Sequence, residues 1–148
     1  MTGSWTSQGL AGQRIRALVS TDDEFYAASQ TSGAHKADEA CAPEWTAIGP
    51  FDTTFALSIL VDGDVTLVGT FNSKLYRREG SGDWNQIDVG NPNIWVLTKG
   101  SDGKLYAGTD GGVFRSEDRG ATWRNWSQGL PADGLFIDDL LVDSAGNI

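Results

Sequence analysis

Leu105-Tyr-Ala-Gly-Thr-Asp-Gly-Gly-Val-Phe-Arg-Ser-Glu-Asp-Arg-Gly-Ala-Thr-Trp123 holds one structural unit almost entire. Leu105 to Thr109 is a short apolar and aromatic run, too brief for a helix and suited to a strand. Asp110-Gly111-Gly112 follows as a turn, because Asp and Gly accept backbone conformations that most residues avoid. Val113-Phe-Arg115 reads as the next strand, and another is expected after Gly120, running through Trp123. Upstream, Ile94 to Leu97 supplies a more apolar strand, and Asp102-Gly103, like Asp62-Gly63 one period earlier, marks the connection as a type I′ hairpin. Four strands joined by tight turns therefore fill about forty residues.

The same unit recurs along the chain. Trp5, Trp45, Trp84 and Trp123 fall at spacings of 40, 39 and 39, each followed within a few residues by Gly9, Gly49, Gly90 or Gly129. Asp22, Asp62, Asp102 and Asp143 form a second lattice at spacings of 40, 40 and 41. Phe25 to Ser29, Val65 to Thr70 and Leu105 to Thr109 align with one another, each ending on a small residue and then Ser or Thr. Ile15 to Val19, Phe55 to Val61, Ile94 to Leu97 and Phe136 to Val142 precede these segments or begin a further unit.

Four antiparallel strands repeated at this period predict an all-β protein made of β-propeller blades. The expected organisation is a single propeller segment with repeats at 5–44, 45–83 and 84–122, and a partial fourth at 123–148. A β-helix needs shorter coils, a sandwich does not keep its aromatics on a fixed period, and a helical solenoid needs a 3.6-residue pattern. Another antiparallel all-β fold is the alternative.

Composition narrows the functional classes. Among 148 residues are 19 Gly and 6 Trp, and the formal net charge is −9, which repels nucleic acid. One Cys (Cys41) and one His (His35) make neither an internal disulfide nor a Cys/His zinc site. No cofactor or metal is expected. The opening Met-Thr-Gly-Ser-Trp lacks a basic segment followed by an apolar one, so it does not read as a signal peptide. Phe55 to Val61 is too short to span a bilayer, and no membrane association is expected. The compartment stays open.

Ser116, Asp118, Gly120, Thr122 and Trp123 occupy the defined positions of Ser-x-Asp-x-Gly-x-Thr-Trp. This segment resembles the Asp box of the BNR repeat, found in propellers of sialidases, sortilin-type receptors, xyloglucanase-like glycosidases and photosystem II assembly factors. The resemblance implies a turn between the third and fourth strands of a blade. Its chemistry agrees: a carboxylate and a hydroxyl accept from turn amides, Gly permits positive φ, and Trp buries a large plate. These five residues are expected to be structural. In the second repeat, Arg77-Arg-Glu-Gly-Ser-Gly-Asp-Trp84 has lost the Asp and Thr and is one residue shorter; in the first, Gly33 to Pro43 reads as a longer insert.

Sialidase chemistry would need an Arg cluster, and Gln13-Arg-Ile-Arg-Ala17 has Arg-Ile without the following Pro of that pattern. A paired-carboxylate glycosidase is not supplied by Asp138 and Asp139, whose side chains point to opposite faces if they lie on one strand. Asn125-Trp126-Ser127 fits an N-glycosylation acceptor. His35, Lys36, Asp38 and Glu39 are placed on the insert, in contact with a partner or with solvent. No catalytic residue is assigned. The reading is a noncatalytic binding or assembly module with a protein or carbohydrate ligand; the alternative is part of a glycoside hydrolase. Three and a half repeats do not close a ring, so a homo-oligomer or a longer parent chain is expected to complete it.

Overall fold

The computed structural model describes residues 9–38, 44–49, 55–72, 74–143, 145 and 147–148. Trp5, Glu39, Cys41 and Pro43 lie outside the described residues. The described residues form twelve strands and no helix. The first sheet comprises β1 (Ile15–Ser20), β2 (Glu24–Ser29), β3 (Gly33–Asp38) and β4 (Thr46–Ala47). The second comprises β5 (Ala56–Asp62), β6 (Val65–Thr70), β7 (Leu75–Glu79) and β8 (Asn85–Ile87). The third comprises β9 (Ile94–Lys99), β10 (Leu105–Thr109), β11 (Gly112–Ser116) and β12 (Arg124–Asn125). Within each sheet, consecutive strands are antiparallel neighbours.

The core lies between successive sheets. Tyr26, Ala28, Ala34, Ala56, Ile59 and Val68 pack the first sheet on the second, with Trp84 against them. Leu60, Val65, Leu67, Leu75, Ile94, Leu97, Leu105 and Phe114 pack the second on the third, with Trp123 against them. Strand β6 is buried throughout, because Val65 and Leu67 face the third sheet while Val68 faces the first. Burying a side chain such as Leu67 contributes about 2 kcal/mol.

The first strands β1, β5 and β9 lie side by side, and small residues let them do so. A Cβ on Gly69 would stand 2.2 Å from Ser58 Oγ and 2.7 Å from Ile94 Cγ2. One on Gly108 would stand 2.6 Å from Val96 and 2.7 Å from Ile137. The hydroxyl residue that follows caps the turn: Thr70 Oγ1 donates to Lys74 O at 2.6 Å, and Thr109 Oγ1 to Gly112 O at 2.8 Å.

Several expectations require correction. Gly33–Asp38 is strand β3 rather than an insert, paired with β2 along its length; Ala34 and Ala37 are buried, and Lys36 pairs with Glu24. Its small and charged residues disguise a strand. Phe136 to Val142 forms no strand, because no second strand pairs with it among the described residues. It nevertheless seats like a first strand: Gly112 N donates to Leu135 O at 2.7 Å and Ile137 N to Thr109 O at 2.9 Å. Lys74 N to Pro92 O, at 3.1 Å, is the matching bond before β9.

Trp45, Trp84 and Trp123 immediately precede the short fourth strands instead of lying on them. The Asp lattice marks connections rather than one position. Asp62 ends β5, and the hairpin loop is Gly63-Asp64, with positive φ at Gly63 alone; this fits a II′ turn better than I′. Asp102 lies within the Gly100–Lys104 loop, whose ends are tied by Gly100 N to Lys104 O at 2.9 Å. Asp143 occupies the place of Gly100, its N–H donating to Asn147 O at 2.9 Å.

Candidate functional site

Each first strand carries a one-residue irregularity at the same place. Ile15 and Ala17 pair with Ser29 and Ala28; Ala56 and Ser58 with Thr70 and Gly69; Ile94 and Val96 with Thr109 and Gly108. Arg16, Leu57 and Trp95 are therefore bulged residues. A bulge bends the strand and re-aims the side chain it inserts. In the second and third sheets it delivers Leu57 and Trp95 to the end of the sheets where second strands turn into third strands.

An aromatic row assembles there. Phe55 and Phe71 meet edge to face with centroids 6.3 Å apart and planes at 88°. Phe71 and Trp95 follow at 5.9 Å and 61°, then Trp95 and Phe136 at 5.2 Å and 50°. Phe55, Phe71 and Phe136 are 46%, 36% and 58% exposed. Gln30, Phe55, Leu57, Phe71 and Trp95 line a hollow of about 300 Å³ that is open to solvent. Rings so steeply inclined form walls instead of a flat platform.

Hydrogen bonds fix the third-sheet side. Trp95 Nε1 donates to Asp110 Oδ1, and Asn93 Nδ2 to Asp110 Oδ2. Asn93 Oδ1 accepts from Asn72 N at 2.8 Å, tying this end to the turn after Phe71. Gln30, Phe71 and Asp110 each directly follow the hydroxyl residue at the end of the second strand, so three sheets contribute corresponding positions to one surface.

The five residues singled out by motif lie elsewhere, between β11 and β12. Ser116 Oγ donates to Asp118 Oδ1 at 2.8 Å and accepts from Gly120 N at 2.8 Å. Thr122 donates to Asp118 through its N–H at 2.8 Å and its hydroxyl at 2.5 Å. Trp123 Nε1 donates to Gly120 O at 3.1 Å. Arg119 and Gly120 have φ of +56° and +83°. The turn abuts the second sheet: a Cβ on Gly120 would lie 2.8 Å from Leu67, and Arg119 Nη2 donates to Asp62 O at 2.6 Å. Burial pushes the Asp118 carboxyl up, but bonds from Thr122 and Ser116 outweigh it and leave the group below its ordinary value.

Other carboxylates on this connecting end are also tied. Lys99 bonds Asp62 and lowers its pKa against the cost of burial, aided by Arg119. Lys104 holds Asp102 low in the same way. Of the remaining candidates, His35 lies on β3 with Nε2 2.7 Å from Ser32 Oγ, and burial lowers its pKa. Asp138 and Asp139 are exposed and lie on no strand. Asn125 Oδ1 accepts from Ser127 N at 3.0 Å, and Arg115 stacks on Trp126 at 3.4 Å.

Motif reading overlooked the aromatic row because its members come from strand starts and turn ends far apart in sequence. One signal was present. Of six Trp residues only Trp95 and Trp126 leave the repeat lattice, and Trp95 is the centre of the row.

No protein-family model matches the chain, and no curated protein matches its sequence. Its fold is similar to that of the extracellular domain of the putative one component system BT4673 from B. thetaiotaomicron, with a TM-score of 0.67 and 18% identity over 90% of this chain. A second structure, described as the extracellular domain of the putative hybrid two component system BT4673, matches with the same values. The chain spans about a fifth, 19%, of the length of those structures, and at this identity the likeness establishes a shared all-β fold of four-stranded sheets.

Proposed function

We propose that this chain is a segment of an Asp-box β-propeller acting as a noncatalytic binding module, with its ligand held by the aromatic row. The carrying observation is the row itself: bulges at one position in successive first strands deliver Leu57 and Trp95 to a surface where large rings stay partly exposed. Exposed aromatic surface rimmed by polar groups is characteristic of interaction sites. The propeller reading is supported by side-by-side first strands, by cores lying between sheets, and by the Ser116–Trp123 turn between third and fourth strands.

A glycosidase needs a carboxylic acid held protonated near neutrality. Glu24, Asp62, Asp64, Asp88, Asp102 and Asp118, all among the described residues, are each displaced downward. That direction favours binding over hydrolysis. A panel of fluorogenic glycosides tests the reading: no turnover is expected, and turnover abolished by substituting a single carboxylate would overturn it. Ring closure requires further sheets, from a second copy or a longer polypeptide. Light scattering is expected to give a discrete dimer in the first case and a polydisperse sample in the second, whereas a stable, cooperatively melting monomer would contradict the incomplete-ring reading.

A further inference from the structure

Resting on that reading of the aromatic row, we infer that its ligand is an organic ammonium cation, held in the hollow between Gln30, Phe55, Leu57, Phe71 and Trp95. The ring geometry argues first. Interplanar angles of 88° and 61° set Phe55, Phe71 and Trp95 as walls around a space of about 300 Å³. Walls of this kind can offer negative π faces to a compact cation from more than one side, whereas a planar ligand needs a flat, unobstructed ring.

Electrostatics argues next. Trp95 donates its indole N–H to the Asp110 carboxylate, which pushes electron density into the ring and strengthens its attraction for a cation. Asn93 holds the same carboxylate through its other oxygen, and the bulge at Trp95 fixes where the indole begins. The cage therefore has a preset wall and needs little ordering on binding. The chain's net charge of −9 favours the approach of cations over that of anions. Among the described residues, Gln30 is the one polar side chain that lines the hollow, no basic side chain lines it, and the Asp110 carboxylate bonded to Trp95 sets a negative charge behind that ring.

The test compares choline with 3,3-dimethylbutan-1-ol, the neutral molecule of nearly the same shape, in titrations of the full chain followed by NMR. The Trp95 indole N–H signal is assigned by its loss in Trp95→Phe. Choline is expected to shift that signal and to bind about tenfold more tightly than the alcohol, with affinity falling as salt rises. Phe71→Leu keeps an apolar side chain at an exposed site while removing the π face, and is expected to weaken choline about fivefold with the melting temperature nearly unchanged. Asp110→Asn is expected to weaken choline and leave the alcohol unaffected.

Equal binding of choline and the alcohol, or no shift with choline at millimolar concentration, would overturn the inference. Cellohexaose and maltohexaose are titrated in parallel. Binding of either sugar to the Trp95 signal without choline binding refutes the cation while leaving the binding-module reading intact. Glycoside turnover refutes that reading instead, so the two failures are distinguishable.

Discussion

The second and third sheets share a core and differ in how they pass from third to fourth strand. In the third, Ser116, Asp118 and Thr122 close the turn with hydrogen bonds among side chains and amides. In the second, Arg78 takes the place of Ser116 and Gly80 that of Asp118; the turn closes through Gly80 at φ +54° and Gly82 N to Glu79 O at 3.0 Å. Both routes deliver a Trp to the same place, before the fourth strand and against the preceding sheet. Trp123 bonds within its own turn, whereas Trp84 donates to Ile48 O, the residue after β4, at 2.6 Å and lies under Arg78 at 4.7 Å. The aromatic plate and the small residue at the end of the second strand are what the architecture requires. The polar turn is one means of placing them.

The largest expected effect falls on a shared feature. Gly69→Val should destabilise by about 3 kcal/mol in urea denaturation, since its side chain would overlap Ser58 and Ile94, both held in first strands. Gly108→Val meets Val96 on β9 but also Ile137, in a segment with no paired strand, and should cost about 1–2 kcal/mol. Equal costs would show that residues 135–142 are held as firmly as β9. A cost for Gly69→Val below about 0.5 kcal/mol would break the claim that successive sheets need a small residue there.

Next comes the feature that differs. Asp118→Ala removes three hydrogen bonds, but the residue is exposed, so the expected loss is about 1–2 kcal/mol and not the larger penalty of a buried group. At the corresponding Gly80 a Cβ meets nothing within 4 Å, and Asn tolerates positive φ, so Gly80→Asn should cost about 0.5 kcal/mol or less. Melting curves that rank the two the other way would deny the polar turn its stabilising part.

The Asp118 contribution should also carry a pH signature. Its folded pKa is depressed, so the stabilisation is present above the ordinary carboxylate value and lost as pH falls through it towards the folded value. The stability gap between the parent and Asp118→Ala should thus be full near neutrality and shrink below about pH 4. A gap independent of pH would mean that the charge on Asp118 contributes nothing.

Much of this comparison was legible in the sequence. The forty-residue Trp lattice, the alignment of β2, β6 and β10, and the Ser or Thr ending each of them follow from residue type and spacing alone. Strand β3 was not legible, because Gly-Ala-His-Lys-Ala-Asp buries only two small methyl groups and shows no apolar alternation. The lone segment at 136–142 has the composition of a first strand and seats as one, yet pairing depends on a second strand that composition cannot supply. The row was hidden for a different reason: it depends on bulges at Leu57 and Trp95, and a bulge is a property of the register between strands rather than of either sequence.

The smallest prediction concerns the turn beside the row, where the two sheets differ by one residue. Gly33 in the first sheet and Gly112 in the third follow the second-to-third-strand turn with φ of +78° and +103°. The second sheet places Lys74 there, at φ +68°, two residues after Asn72 at φ +58°. A left-handed conformation costs a residue with a Cβ about 1–2 kcal/mol, and replacing Lys by Gly recovers that while giving back about 0.5–1 kcal/mol of unfolded-chain entropy. The ion pair that would be lost, Lys74 Nζ to Asp88 at 2.9 Å, joins two largely exposed groups and contributes little. Lys74→Gly should therefore stabilise the chain by about 0.5 kcal/mol, read as a small rise in the urea midpoint with an unchanged slope. If the midpoint falls instead, the Lys74 side chain is holding the Phe71 turn in place, and the second sheet has traded backbone ease for the position of an aromatic wall.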